Sequence, residues 1–350
     1  MRLTKNRLRL AAFALLCSFW SGATFAFDVN IMTGSETGTY IQIGRDIAAL
    51  ASNADFHVEA VPSAGSLENI DAVRNRAFTQ FGIVQSDVLD FITTFHSKDP
   101  AMRSLVRTTR SVFPLYNEAI QVVVRKSSGI TTLAGLSGRV VAVGAPDSGT
   151  NLTSTFLLEI ANVRPSQLVT INPAQALPEL LADRIDAFIY VAGAPTKILA
   201  DQPANADLAL VPSTGTALGE YYGLATIPAG TYPWLATDVT TPAVRAVLMT
   251  YEYNPARNAY HRASCEAVKR VTNVIRANIE RFRQAGHPKW KQVDLNADVP
   301  GWKHSQCVEA ALREPIAIAG PSDSETLPED CSTITNPISL QICNMRNARK

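Results

Sequence analysis

The sequence has no excess of charge of either sign and no long apolar run. Its 350 residues include 32 Lys and Arg and 31 Asp and Glu. Proteins that bind nucleic acid usually carry a strong basic excess, so we predict no nucleic-acid partner. The apolar run Leu10–Trp20 is shorter than the roughly 20 residues that cross a bilayer. With 46% hydrophobic and 18% charged residues, the chain is typical of a globular protein with room for two domains.

Two catalytic signatures are missing from loops that otherwise have the composition of ligand sites. No serine lies in the G-x-S-x-G turn of a hydrolase, and no histidine falls in a comparable loop. Gly144 and Gly149 enclose four residues, as the glycines of a phosphate-binding P-loop do. However, Thr150 and Asn151 stand where that motif needs Lys and then Ser or Thr. We therefore predict a protein that is not an enzyme and has no cofactor.

The first residues resemble a secretory signal peptide. Four basic residues at positions 2–9 precede the apolar run, and Thr24-Phe25-Ala26 is similar to a small-x-small cleavage site. We predict cleavage after Ala26, so that residues 1–26 are a signal peptide and the mature protein is periplasmic. An uncleaved anchor is the alternative. Removal of residues 1–26 leaves 28 basic and 31 acidic residues, a net charge of −3.

Cysteine is scarce, and its distribution agrees with export. After cleavage the last quarter of the sequence holds all four remaining cysteines: Cys265, Cys307, Cys331 and Cys343. An even set in an exported chain predicts two disulfides. Sequence order pairs Cys265 with Cys307 and Cys331 with Cys343, although three connectivities are possible.

A zinc site is the alternative for these cysteines. His261 and Cys265 form an H-x-x-x-C pair, and His304 and Cys307 form an H-x-x-C pair. This spacing is loose and the compartment is oxidising, so we favour disulfides and predict no metal.

Five segments repeat one pattern, in which a short apolar strand leads through a loop of small or polar residues into a helix. The loops lie at about 33–39, 62–66, 85–87, 144–150 and 192–196. The first turn of a helix has unpaired N–H groups and a positive dipole end, and small residues allow an anion to approach them. Ligands of open α/β sheets bind at the carboxyl ends of the strands, where such loops lie. The sequence therefore predicts an α/β protein whose loops converge on a small anion.

Seven motifs resemble the TAXI family, the extracytoplasmic solute receptors of TRAP-type transporters. They occur in family order over roughly residues 27–300: TGSETGTY at 33–40, SAGSLEN at 63–69, GIVQSD at 82–87, YNEAIQVVVR at 116–125, AVGAPDSGT at 142–150, DAFIYVAGAPT at 186–196 and IPAGTYP at 227–233. The resemblance implies an α/β, two-lobe periplasmic-binding-protein fold (type II-like) with crossover strands. It also implies a small anionic or zwitterionic ligand, such as glutamate or a dicarboxylate. The implied partners are the TRAP membrane subunits, which are driven by an ion gradient.

The same resemblance implies how the chain is divided. Lobe I would comprise residues 27–115 and 226–304, and lobe II residues 116–225. Residues 305–350 look like an addition to the family core, a loop-rich, disulfide-bonded C-terminal extension. A ligand-binding sensor component of a periplasmic signalling system is the alternative function, because the same fold would serve it.

Carried over position by position, the resemblance implies a ligand site built by both lobes. Lobe I would contribute Ser35, Thr37, Thr39, Tyr40, Ser63, Ser66, Gln85, Ser86 and Asp87. Lobe II would contribute Ser148, Gly149, Thr150, Gly193, Ala194 and Pro195. Hydroxyl and N–H groups of this set would hold a carboxylate by charge-assisted hydrogen bonds. The family usually has Tyr and Pro where this sequence has Ile41 and Gln42. This difference leaves open the shape of the ligand site next to these two residues.

Overall fold

The computed structural model describes residues 27–36 and 38–315. Within these residues the strands are β1 Phe27–Met32, β2 Phe56–Val61, β3 Thr79–Gln85, β4 Thr109–Val124, β5 Val140–Ala142, β6 Gln167–Val169, β7 Ala187–Ala192, β8 Ala209–Val211, β9 Gly223–Ile227 and β10 Val239–Tyr251. The α-helices are α1 Thr39–Ala51, α2 Ser66–Asn75, α3 Val88–Phe95, α4 Pro100–Thr108, α5 Gly149–Ile160, α6 Pro173–Leu181, α7 Lys197–Ala200, α8 Ala259–Ala285 and α9 Gln306–Arg313.

The described strands form one mixed sheet with two parallel ends. The order is β2-β1-β3-β10-β4-β7-β5-β6, with β8 beside β4 and β9 beside β10. At one end β2, β1 and β3 are parallel, and at the other end β7, β5 and β6 are parallel. The long strands β4 and β10 lie antiparallel to each other between these ends. Each parallel end is built from strand–loop–helix units, as the repeated sequence pattern predicts.

The apolar cores divide the molecule into two lobes. Lobe I is centred on β1–β3 and packs its core residues from positions 29–116 and 246–308. Lobe II is centred on β5–β7 and packs its core residues from positions 119–244. A further cluster on the other face of lobe I takes in Leu152 of α5, which belongs to lobe II. This architecture confirms the predicted α/β two-lobe fold.

Both long strands pass from one lobe to the other. In β4, Phe113 packs in lobe I while Val122 packs in lobe II. In β10, Val244 packs in lobe II while Leu248 packs in lobe I. Runs of apolar β-branched residues favour such strands, because a strand that is buried on both faces has apolar side chains on both. These are the predicted crossover strands. The domain bounds at residues 116 and 226 stay a prediction. Ile227 itself packs in the lobe II core.

The sequence pattern predicts Ser66 as the cap of a helix, one strand over residues 208–224, and Pro195 in the first turn of a helix. Each of these three local predictions needs correction. Helix α2 has Gly65 as its N-cap without a side-chain cap, and Ser66 is its first residue. The hydroxyl of Ser66 instead accepts a hydrogen bond from the Gln85 backbone N–H at 3.1 Å. The strand predicted over residues 208–224 is divided between β8 and β9 by a 3-10 turn. Pro195 precedes the Thr196 N-cap of α7 rather than lying in the first turn.

The C-terminal part of the described chain packs on lobe I. Helix α9 lies against α8, and the Cys265–Cys307 disulfide joins the two helices, which confirms this predicted pair. Cys331, Cys343 and the proposed signal peptide lie outside the described residues. In the part of the chain that the structure describes, no helix is long and apolar enough to cross a membrane. The same residues contain no group of three or more His, Cys, Asp or Glu side chains arranged to hold a metal.

Candidate functional site

A cavity of about 570 Å³ lies between the lobes. Lobe I lines it with the loop after β1, the start of α1 and the end of β3. Lobe II lines it with the start of α5 and with the end of β7 and the loop that follows. Each of the five predicted small-residue loops therefore reaches this cleft, through Ser35, Gly65, Gln85, Gly149 and Gly193 among others.

Two helices direct their N-termini at the cavity from opposite lobes. Helix α1 begins after Gly38, which makes no side-chain cap, so the first N–H groups of this helix have no capping side chain. Helix α5 begins after Ser148, whose hydroxyl accepts a hydrogen bond from the Asn151 N–H at 3.1 Å. Both termini place positive dipole ends on the cleft, an arrangement that attracts an anion.

A buried amide fixes the lobe I loops relative to one another. Asn69, on α2, donates hydrogen bonds to the carbonyls of Thr33 (2.6 Å) and Ile83 (2.7 Å). The Ser63 hydroxyl donates to Asn69 Oδ1 at 2.6 Å. Two loops of lobe I and strand β3 are thus held together by one fully buried side chain, which fixes the lobe I wall of the cleft.

The two walls touch where the sequence has glycine. A Cβ placed on Gly65 would lie 2.9 Å from the Gly149 backbone nitrogen. A Cβ placed on Gly149 would collide with Gln85 Oε1 and lie 2.9 Å from Ser66 Oγ. Only hydrogen at these positions permits the backbones to approach so closely, so both glycines are needed for the lobes to close.

A lysine joins the two lobes beside the cavity, next to Gly193. Lys289, in the 3-10 turn Pro288–Gln292, donates from Nζ to the Ala194 carbonyl of lobe II at 2.9 Å. Its stem occupies the space that a side chain on Gly193 would fill. Burial lowers the pKa of Lys289, and the nearby Glu118 carboxylate opposes this shift. The turn itself is fixed because Trp290 Nε1 donates to Asp46 at 2.9 Å and its ring stacks on Phe282.

A buried glutamate faces the cavity from the crossover strand β4. Glu118 is 4% exposed, and its Oε2 accepts a hydrogen bond from the Tyr40 hydroxyl at 2.7 Å. Burial raises the pKa of Glu118 to about 7, although the hydrogen bond from Tyr40 and the charge of Lys289 oppose the rise. Burial and the neighbouring carboxylate also raise the pKa of Tyr40 well above its usual value, so this phenol stays a donor. The cleft therefore offers one acidic side chain among positive helix ends.

Behind the cleft, Asp87 joins the two lobes. It accepts hydrogen bonds at Oδ2 from Thr153 of α5 (2.8 Å) and from the Tyr222 hydroxyl (3.1 Å). Burial raises the pKa of Asp87 to about 7, and these hydrogen bonds oppose the rise. Asp87 is 2% exposed and does not line the cavity.

The structure brings most of the sequence-predicted site residues to one place. Nine of them line the cavity: Ser35, Thr39, Tyr40, Gln85, Ser148, Gly149, Thr150, Gly193 and Pro195. Five do not line it: Ser63, Ser66, Ser86, Asp87 and Ala194. Thr37 lies outside the described residues. Contact of any of these residues with a solute stays a prediction.

The predicted residues that do not line the cavity have hydrogen bonds elsewhere. Ser63 and Ser66 bond within lobe I, as described above, and Ser86 Oγ accepts from the Arg245 N–H of β10 at 3.1 Å. Ala194 offers its carbonyl to Lys289. Even among the lining residues, Thr150 Oγ1 accepts from the Val191 N–H at 3.3 Å. The hydroxyl-rich loops thus use much of their hydrogen-bonding capacity to shape the site.

Sequence reasoning missed the charged groups of the cleft. Glu118 had a usable signal, since a single acidic residue within an apolar strand is rarely buried without a partner. Lys289 had none, because it follows helix α8 and reaches the cleft only through tertiary packing. Tyr190 and His287 also line the cavity, and neither stands out in the sequence.

This chain is similar, at low sequence identity, to several solved structures. A periplasmic sulfonate-binding protein of an ABC transporter from Methylobacillus flagellatus is 15% identical, over 74% of this chain and 70% of that chain, with a TM-score of 0.44. A TctC solute-binding protein from Polaromonas is 14% identical, over 71% and 87%, with a TM-score of 0.40. The protein studied in glutathione import by Streptococcus mutans is 10% identical, over 79% and 100%, with a TM-score of 0.46.

The chain also matches the model of one protein family over most of its length. The NMT1-like family matches residues 31–295, which include both lobes, both crossover strands and every described residue that lines the cleft. On this match, the chain belongs to the NMT1-like family.

Proposed function

We propose that the protein is the periplasmic solute receptor of a TRAP-type transporter, of the TAXI group, and that it binds a small carboxylate between its lobes. The receptor would close on the solute, for example glutamate or a dicarboxylate, and deliver it to the membrane subunits. It would not change the solute chemically.

The observation that carries this proposal is the pair of opposed helix N-termini at one cavity. The starts of α1 and α5 belong to different lobes, so an anion held by both would stabilise the closed arrangement. Lys289 lies beside the cavity rather than in its lining, and its charge adds to the attraction for an anion. A volume of about 570 Å³ is in the range of small-molecule sites.

Ligand binding to the mature protein is the direct test. We would measure thermal unfolding with L-glutamate, 2-oxoglutarate and succinate, with glycerol as an uncharged control. A bound solute at a hundredfold excess over its Kd stabilises the native state by about 2.7 kcal/mol. Calorimetry would then give the affinity of each solute that stabilises the protein.

Native mass spectrometry of the purified protein extends the panel to any solute that co-purifies. A carboxylate that binds and also supports its uptake in cells with the transporter subunits would support the proposal. A protein that binds only uncharged solutes, or that releases a chemically altered product, would overturn it.

A further inference from the structure

Two acidic side chains line the cavity, and they differ in how their charge is compensated. Asp201 is exposed and forms an ion pair with Lys197 at 2.7 Å. Glu118 is 4% exposed, and among the described residues no cation forms an ion pair with its carboxylate. Lys289 lies near Glu118 but directs its Nζ to the Ala194 carbonyl. A buried charge without a paired cation destabilises the native state, so Glu118 is an unusual residue to find in the lining.

The hydrogen-bonding capacity of Glu118 is only partly used within the protein. Its Oε2 accepts a hydrogen bond from the Tyr40 hydroxyl at 2.7 Å. Its Oε1 accepts none from the residues that the structure describes, and it is not sealed off from the cavity. A carboxylate can accept about four hydrogen bonds. Glu118 therefore retains acceptor capacity that a donor group of a solute can use.

Tyrosine rings lie around this carboxylate. Tyr40 and Tyr190 line the cavity together with Glu118. Burial raises the pKa of Tyr190 to about 12, and the nearby Glu118 charge contributes to this rise, which agrees with their sharing one part of the lining. The Tyr116 ring packs edge-on against Tyr40, with 6.5 Å between the ring centres. A carboxylate beside aromatic rings is suited to a cation, because the electron-rich ring faces attract it as well.

The groups that attract an anion lie at another position of the same cavity. The starts of α1 and α5 bring backbone N–H groups to it, at Thr39 and at Gly149. Tyr40 belongs to the first turn of α1, and its hydroxyl reaches Glu118. The length of one rigid tyrosine side chain therefore separates the α1 backbone from the Glu118 carboxylate. A small molecule with a carboxylate and a second polar group can contact both positions.

The charge of that second group decides which solutes fit. A carboxylate at Glu118 would be repelled by a like charge in a buried site. A carbonyl oxygen there would face an acceptor without a proton between them. A hydroxyl supplies a donor but leaves the buried charge of Glu118 uncompensated. An ammonium supplies both the donors and the opposite charge, so it is the best match.

We propose that Glu118 determines the specificity of the receptor by binding an ammonium group of the solute beside Tyr40 and Tyr190, while the starts of α1 and α5 bind a carboxylate of the same molecule. The solute is then an amino acid, and Glu118 discriminates against dicarboxylates that lack an amino group. This inference rests on the proposed function and narrows its substrate class.

Pairs of solutes that differ at one carbon atom test this selection. L-glutamate and 2-oxoglutarate, L-phenylalanine and phenylpyruvate, and L-alanine and pyruvate each exchange an ammonium for a carbonyl oxygen. We would measure the Kd of each solute for the mature protein by calorimetry. In the pair that fits the cavity, the amino acid should bind at least about tenfold more tightly than its oxo acid, as expected for a hydrogen bond between charged groups.

The Glu118→Gln variant identifies the residue responsible for the selection. It removes the charge and nearly keeps the size of the side chain. We expect the amino acid to bind roughly 10- to 150-fold more weakly, whereas the oxo acid should bind as well as to the wild type or better. A merely structural role of Glu118 would weaken both members of the pair alike. Glu59→Gln, an exposed change on β2 that does not line the cavity, is the matched control and should leave both affinities unchanged.

Two outcomes would overturn the proposal and leave the receptor function standing. The first is a wild-type protein that binds an oxo acid or succinate as tightly as the amino acids, a comparison that needs no variant. The second is a folded Glu118→Gln variant that loses both members of a pair equally. A protein that binds neither amino acids nor other carboxylates would contradict both this proposal and the receptor function.

Discussion

The two walls of the cleft are built differently. Lobe II contributes mainly backbone and small residues, at Ser148–Thr150 and around Gly193, together with a helix N-terminus. Its larger lining groups are Tyr190 and the exposed, ion-paired Lys197 and Asp201. Lobe I and the crossover strand contribute the buried polar groups Tyr40 and Glu118, with the cation of Lys289 beside them. The lobe II wall is suited to any small anion, because backbone N–H groups do not distinguish one carboxylate from another. Discrimination between solutes therefore depends mainly on the lobe I wall, with Tyr190 the main lobe II side chain that can contribute.

Removal of the disulfide has the largest expected effect, and it acts on stability. The Cys265→Ala, Cys307→Ala double variant loses the cross-link between α8 and α9, which lies in the lobe I core away from the cavity. We expect unfolding to be easier by about 2–4 kcal/mol. Urea unfolding measures this loss. If solute affinity falls as well, the geometry of the lobe I wall depends on the disulfide. This outcome would contradict the inference that the disulfide stabilises the lobe I core without affecting the cavity.

Gly149→Ala tests the lobe II wall. The added methyl group collides with Gln85 and Ser66 when the lobes meet, and such overpacking costs about 1–3 kcal/mol. We expect solute binding to weaken roughly 5- to 150-fold and the protein to stay more open, as measured by calorimetry and small-angle scattering. Gly215→Ala is the matched control, because no atom lies within 4 Å of the added carbon. Equal affinities for the two variants would contradict the close approach of the walls.

Lys289→Met tests the lobe I wall. It removes a cation near Glu118 and the hydrogen bond to the Ala194 carbonyl, while the length of the side chain is nearly kept. We expect an anionic solute to bind about tenfold more weakly, or about 1.4 kcal/mol. Lys291→Met, an exposed change in the same 3-10 turn, should bind normally. A loss shared by both variants would show a general effect of net charge instead.

Gly193→Ala has the smallest expected effect, and it tests the contact between the two walls. The added carbon meets the flexible end of Lys289, which can move, so we expect a loss of less than about 1 kcal/mol in binding. In a Lys289→Ala background the same substitution should have no effect, since its neighbour is gone. Calorimetry of the four proteins gives this coupling as a double-mutant cycle. Additive losses would mean that Gly193 acts independently of Lys289.

The contrast between the walls also explains what the sequence predicts. Gly149, Thr150 and the start of α5 form one continuous segment, so local pattern alone indicates an anion site there. Most of the strand–loop–helix units and the Cys265–Cys307 pair were predictable for the same reason, since each follows from local composition or chain order. The lobe I wall is different, because Lys289 reaches Gly193 across 96 positions of sequence through the packing of Trp290.

The hydroxyl-rich loops show the limit of local pattern in another way. Ser63, Ser66 and Ser86 have the residue type and position of ligand contacts, yet each hydroxyl bonds to the protein. Sequence reveals that a hydroxyl is present but not which neighbour it meets. The hydrogen bonds of Asp87 depend in the same way on Thr153 and Tyr222, which come from separate segments of lobe II.

The paired crossover strands determine how the molecule can move. Strands β4 and β10 are hydrogen-bonded neighbours where they change lobes, and their register shifts between Arg245 and Val247, opposite Asn117 and Pro114. A ribbon of two bonded strands bends about an axis across it far more readily than it stretches or slides. The irregular register interrupts the ladder at this point. The lobes should therefore open by rotation about a hinge at Asn117 and Arg245. A pair of distance labels on the outer edges of the sheet would report the full motion.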